Sequence, residues 1–128
     1  MFAADRASQA LGIRVERLAP GHARLTMAVT DLMVNGHGIA HGGYVFLLAD
    51  TAFACACNYP GAATVAASAH VTFVSPARAG ERLLAEAVER HRHGRSGVYD
   101  VTVRAAGDGR VVAEFRGLSR TLAAAPGG

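Results

Sequence analysis

Tryptophan is missing from this sequence, and Phe, Trp and Tyr together reach only 6% of its 128 residues. Ala, Val and Gly fill the space that large rings would take, which suits close packing of backbone against backbone. Charge is scarce too. Charged side chains make up 18% of the chain and hydrophobic ones 51%, a balance that excludes a disordered chain and allows a real core. No long stripe of one sign occurs. Thirteen basic residues against ten acidic leave a net charge of +3, which permits an anionic ligand but does not argue for nucleic acid. The densest basic run, His91-Arg92-His93-Gly94-Arg95, reads as a solvated turn. Only two cysteines are present, Cys55 and Cys57. Two apart on a helix, they point roughly 200° away from each other and cannot pair. That excludes a disulfide framework and suits a reducing, cytoplasmic setting with buried thiols. No basic-then-apolar leader opens the chain. The apolar stretch Tyr44 to Cys57 is shorter than the ~20 residues a membrane span needs, and it carries Asp50 near its middle.

What is present reads as one domain over residues 1–128, with a frayed tail from about 122. Ala4 to Leu11 reads as a short helix stopped by Gly12. Ile13–Leu18 and His22–Val29 alternate as strands around a Pro20-Gly21 turn. A Gly-rich loop, Asn35-Gly36-His37-Gly38, leads through His41-Gly42-Gly43 into the long apolar segment. That segment is apolar on all sides apart from Asp50 and Thr51, so other structure must wrap it. Asn58-Tyr59-Pro60-Gly61 ends it. Strands follow over Thr64–Ser75, Glu81–Arg90, Val98–Ala105 and Arg110–Thr121, with Asp108-Gly109 as a hairpin signal. Glu81–Arg90 favours helix by propensity, but its place between two turns in a run of hairpins makes it a strand. The predicted class is α+β, an antiparallel sheet wrapped around one long central helix, with a second subunit covering the face that the sheet leaves open.

Asp50 sits in the middle of the apolar helix, where an unpartnered carboxylate is expensive. It is either tied to donors or an ion pair, or it is a base or nucleophile with a pKa raised by burial. Gly42 and Gly43 open the same helix. A helix start offers unpaired N–H groups and a positive dipole end, which an acyl oxygen can approach where no side chain intervenes. A tight turn needing glycine is the plainer alternative. Eight residues of helix put Gly42 and Asp50 about 12 Å apart, too wide for one carbonyl. Acting together, they would come from different subunits of a two-fold dimer.

The run Asn35-Gly-His-Gly-Ile-Ala-His41-Gly42-Gly43 through Asp50 to Asn58 closely resembles hot-dog thioesterases of the phenylacetic-acid degradation (PaaI) type. The likeness continues through Ser75-Pro76, Gly97-Val98-Tyr99-Asp100 and Phe115-Arg116-Gly117. It implies a hot-dog fold and acyl-CoA thioester hydrolysis, with (hydroxy)phenylacetyl-CoA as the substrate type. By the family pattern Asp50 is base or nucleophile and the Gly42 N–H holds the thioester oxygen. Asn35 holds the water or thioester, Ser68 contacts the reacting region, and His41 is a positioning residue. The resemblance also implies no metal and no cofactor beyond the coenzyme A of the substrate. Dimers pair into tetramers, with coenzyme A along the interface.

Weaker candidates remain. Gly43 and Tyr44 adjoin the helix start, and Tyr44, Phe46 and Phe53 either line an aryl pocket or belong to the core. Arg78, Arg92 and Arg95 lie near turns and either meet coenzyme A phosphates or are plain surface arginines. His37 and His41 lack a helix between them and an acidic third ligand, which disfavours metal. Two rival functions stay open: a stand-alone acyl-CoA sensor, and a hot-dog hydratase or dehydratase using His41.

Overall fold

The structure is a computed structural model that describes residues 1–61 and 63–123. A 3-10 turn over Phe2–Ala4 precedes helix α1 (Arg6–Ala10), which is shorter than the expected 4–11 helix. Strands β1 (Arg14–Ala19) and β2 (His22–Ala28) form the first hairpin. The long helix α2 spans Gly42–Asn58. It is followed by β3 (Thr64–Phe73), β4 (Arg82–His93), β5 (Ser96–Ala105) and β6 (Val111–Thr121). The strands join in one antiparallel sheet of order β1-β2-β4-β5-β6-β3. Of the expected tail, residues 124–128 lie outside the described residues; the Leu122 amide still donates to the Ala63 carbonyl.

Alternation overrides propensity in β4. Leu83, Ala85 and Ala87 turn inward and are fully buried, while Arg82, Leu84, Glu86 and Val88 are not. They meet Ala105, Val103 and Val101 of β5, so two apolar rows form one floor under α2. The strand also runs three residues past Arg90. The basic run is therefore strand rather than turn as far as His93, and the His91 and His93 rings lie parallel on one face at 6.4 Å.

Helix α2 sinks Leu48, Ala49, Ala52, Phe53 and Ala56 into that floor. Each large side chain so buried contributes about 1.5–3 kcal/mol. The Phe53 ring lies against Tyr99 and Phe115 at 5.6 and 5.7 Å. It rests on the backbone of Gly117, where an added Cβ would come within 2.8 Å of the ring. The opposite side of α2 is less covered: Gly43 is exposed, and Leu47, Asp50 and Ala54 are only partly buried. Spaced three or four apart, these four make one strip.

Two short-range devices hold the ends of this region. The Asn58 side chain donates to the carbonyls of Ala54 and Thr64 and accepts the Thr64 amide, stapling the end of α2 to the start of β3. α1 is fixed near the middle of α2 by a buried contact between the Ser8 and Thr51 hydroxyls at 2.9 Å. β3 is one of the two edge strands, β1 being the other. Beyond its first residue β3 is exposed on both faces except at Val71, and Val65 and Phe73 are about half exposed there.

Candidate active site

The loop before α2 is built on Asn35. Its Oδ1 accepts the amides of His37 and Ile39 at 2.9 and 3.4 Å, and its own amide donates to the Ile39 carbonyl at 2.8 Å. This turn leaves the Asn35 Nδ2 donor uncommitted among the described residues. The exit from the loop is pinned by Ala40 N–H donating to Ala77 and His41 N–H donating to Met33, both at 2.7 Å. The chain therefore enters α2 at a fixed angle.

At the helix start the two glycines part ways. His41 is the N-cap, and its Nδ1 accepts the Gly43 amide at 3.0 Å. The Tyr44 amide donates to the His41 carbonyl. The Gly42 amide has no partner among the described residues. It is thus the free donor at the positive end of α2. A cavity of about 490 Å³ opens beside it, walled by Asn35, Gly42, Val45, Phe73 and Pro76 among others, within the size range of small-molecule sites. The Phe73 ring presses on Gly42, so that a Cβ there would lie 2.9 Å from the ring tip. Any larger residue at 42 would have to displace that ring. Nothing in local sequence points to Phe73, which is thirty-one positions away.

Asp50 lies more than two turns along the same helix, about 12 Å by the helical rise, and does not line this cavity. No hydrogen bond or ion pair reaches its carboxylate among the described residues. The bland reading of a carboxylate tied to donors therefore lacks its donors. Burial pushes its pKa above the ordinary carboxylate value, and the negative charge of Asp5 on α1 pushes it further. Asp5 escapes a sequence reading, because only the docking of α1 brings it near.

The other candidates scatter. Tyr44, with its ring edge-on to His41, lines an open depression with Gly43 and Leu47 on the uncovered strip. Ser68 is exposed on β3 opposite Leu118, in a separate depression with His70 and Arg116. The three arginines do not converge. Arg78 forms a bridge with Ile39 beside the Asn35 loop. Arg92, near the end of β4, acts on Cys57 at the far end of α2. Arg95 sits at the β4–β5 hairpin, where its carbonyl accepts the Thr121 amide. Cys55 and Cys57 are free and buried, and burial pushes both thiols up to about 11.

Residues 37–112 match the thioesterase superfamily. The chain belongs to that superfamily. It is 43% identical over 122 residues to the acyl-coenzyme A thioesterase PaaI of Escherichia coli (strain K12), covering 95% of this chain and 86% of that protein. The structure of E. coli PaaI, from the phenylacetic acid degradation operon, matches it with a TM-score of 0.93 over 96% of this chain and 88% of that one. A mutant of the phenylacetic acid degradation protein PaaI from Thermus thermophilus matches with a TM-score of 0.86, 40% identity and coverage of 91% and 98%. A Streptococcus mutans protein bound to acetyl CoA matches with a TM-score of 0.82, 25% identity and coverage of 86% and 88%. The sheet and its central helix are the superfamily's hot-dog fold, as the sequence resemblance implied. This thioesterase-superfamily chain is homologous to a hydrolase of thioester bonds. None of its described helices is long and apolar enough to cross a membrane.

Proposed function

We propose that this chain hydrolyses acyl-CoA thioesters to a free acid and coenzyme A, with aryl-CoA esters such as phenylacetyl-CoA and its ring-hydroxylated relatives as the substrate class. The observation that carries the proposal is the Gly42 amide, left without a partner among the described residues at the start of α2 while His41 takes up the neighbouring amide. The thioester oxygen accepts from Gly42 N–H, and the charge that grows on it is met by the positive end of α2. Asn35 Nδ2 is the second donor at that cavity. His41 positions Gly42 by capping the helix. Because its Nδ1 is spent on the cap, a His–acid pair for hydration chemistry is disfavoured.

Asp50 of the partner subunit supplies the second half. It takes a proton from water as the water oxygen attacks the carbonyl carbon, or it attacks directly and the acyl-aspartate is then hydrolysed. In both routes the C–S bond breaks and the coenzyme A sulfur leaves as thiolate, to be protonated. The assembly that brings the halves together is a homodimer, and two dimers pair as a tetramer. Two features support it: the uncovered strip on α2 that carries Asp50, and the open apolar edge of β3, which isolated chains protect by covering. Ser68, Tyr44, Gly43 and Arg78 lie on surfaces that such a partner would approach. Coenzyme A would run along the same seam, with Arg92 and Arg95 as further phosphate contacts. Two buried free thiols suit the reducing cytoplasm.

A kcat/KM panel over aryl- and alkyl-CoA esters tests the substrate class, and a preference for straight-chain esters would overturn it. Single-turnover hydrolysis in oxygen-18 water tests the direct attack: label in Asp50, left when water attacks the aspartyl carbon of the anhydride, requires the acyl-aspartate, and trapping that anhydride detects it when water attacks the acyl carbon instead. Wild-type turnover by Asp50→Ala would refute the assignment of Asp50.

A further inference from the structure

We propose that Asp5 is a positioning residue for Asp50: it locks α1 onto α2 one residue from that carboxyl and sets a second negative charge beside it. The inference rests on the reading of Asp50 as the reacting base or nucleophile.

The lock is a chain of short contacts. Asp5 is the N-cap of α1, accepting the Ser8 amide at 3.0 Å and the Ser8 hydroxyl at 2.7 Å. The buried Ser8 hydroxyl lies 2.9 Å from the Thr51 hydroxyl, and, with the Ser8 proton on Asp5, the Thr51 proton is shared between Ser8 Oγ and the Leu47 carbonyl at 2.8 Å. Ser8 and Thr51 are 2% and 6% exposed, so water does not compete for these contacts. α1 is only five residues long and could not hold its place by propensity. Its position, and with it the position of the Asp5 charge, depends on this joint.

The other ionisable groups around this part of α2 act elsewhere. Cys55 and Cys57 on α2 are neutral thiols. Arg92 of β4 acts on Cys57 and on Tyr99 of β5, Glu89 of β4 acts on Tyr99, and the N-terminal amine acts on Cys55. Asp5 is the charge that acts on Asp50, in the direction that makes its carboxyl hold a proton longer.

Asp5→Asn and Asp5→Ser test this, because both residues cap helices about as well as Asp and remove the charge, while giving up the second oxygen that accepts the Ser8 hydroxyl. In each variant the Asp50 carboxyl carbon, followed by NMR, should titrate at lower pH than in the wild type. The acid limb of kcat/KM should move the same way, raising kcat/KM at a pH below the limb by about twofold or more. A carboxyl titration unchanged in both folded variants overturns the inference. Titration that moves while the limb stays fixed supports the action of Asp5 and instead refutes Asp50 as the reacting group. Ser8→Ala, which keeps the charge but breaks the bridge to Thr51, should lower Tm more than either Asp5 variant.

Discussion

Gly42→Ala is the substitution that separates fold from function most sharply. The added methyl would sit 2.9, 3.2 and 3.4 Å from three carbons of the Phe73 ring. An ordinary carbon–carbon contact is about 3.5–4.0 Å, so the ring must retreat by roughly half an ångström or more. Phe73 is 54% exposed at the end of β3, so it can do so cheaply. Alanine also gains over glycine in a helix, by about 0.5–1 kcal/mol in the interior and less at the first position. Net stability should stay within about 1 kcal/mol, or roughly 3–4 °C in Tm for a chain of this length. The reacting geometry is less forgiving. The methyl and the displaced ring both crowd the Gly42 amide, and a misplacement near 1 Å costs about 10²-fold in rate, approaching the 10²–10³ lost with a whole oxyanion donor. The assay is release of coenzyme A read with a thiol-reactive dye beside a melting curve. The two protein thiols are buried and protonated, so the folded enzyme gives little background. A variant with unchanged Tm and wild-type kcat would refute the role given to Gly42.

Asp50→Asn should lower kcat by about 10²–10⁴-fold while raising stability at neutral pH. The sign follows from the raised native pKa: above the unfolded value near 3.8 the unfolded chain gives up this proton more readily than the native one, so stability falls as pH rises through the native pKa. The Tm advantage of the variant should vanish below about pH 4, and an advantage that persisted there would point to a different cause. Gly117→Ala drives a methyl to 2.8 Å from the Phe53 ring, which is 1% exposed and cannot retreat. The cost should be about 1–3 kcal/mol, seen as a lower midpoint in urea; an unchanged midpoint would mean the core gives way easily there. Val65→Asp puts a charge on the open edge of β3 and should shift light-scattering mass toward the monomer with loss of turnover. A fully active dimer would place the interface elsewhere.

Much of the architecture was legible because it rests on local pattern. The central helix follows from an unbroken apolar run opened by His41-Gly42-Gly43. β4 follows from its turns, and its inward Leu83, Ala85 and Ala87 show why alternation prevails over propensity. Asp50 stands out because a lone carboxylate in such a run has no cheap explanation. What escaped were contacts between distant segments. Phe73 against Gly42, Ser8 against Thr51, and Asp5 near Asp50 are each made by tertiary docking, and no spacing rule reaches them. The arginines show the same limit. Arg78, Arg92 and Arg95 look alike in sequence as cations near turns, yet Arg78 pairs beside the Asn35 loop while Arg92 and Arg95 go to the β4–β5 hairpin. The division of labour between Gly42 and Gly43 depends on the tautomer and rotamer of one histidine, which lie below the level at which a sequence speaks.

The staple made by Asn58 has a consequence for how such a chain can diversify. One amide group clasps the end of α2 to both backbone groups of Thr64, so the two ends of the connection between them are held together from outside it. Lineages can lengthen, shorten or recolour this connection, and protein engineers can graft onto it, while the register of β3 and the placement of Asp50 stay put. New specificity can therefore be tried here at low cost to folding.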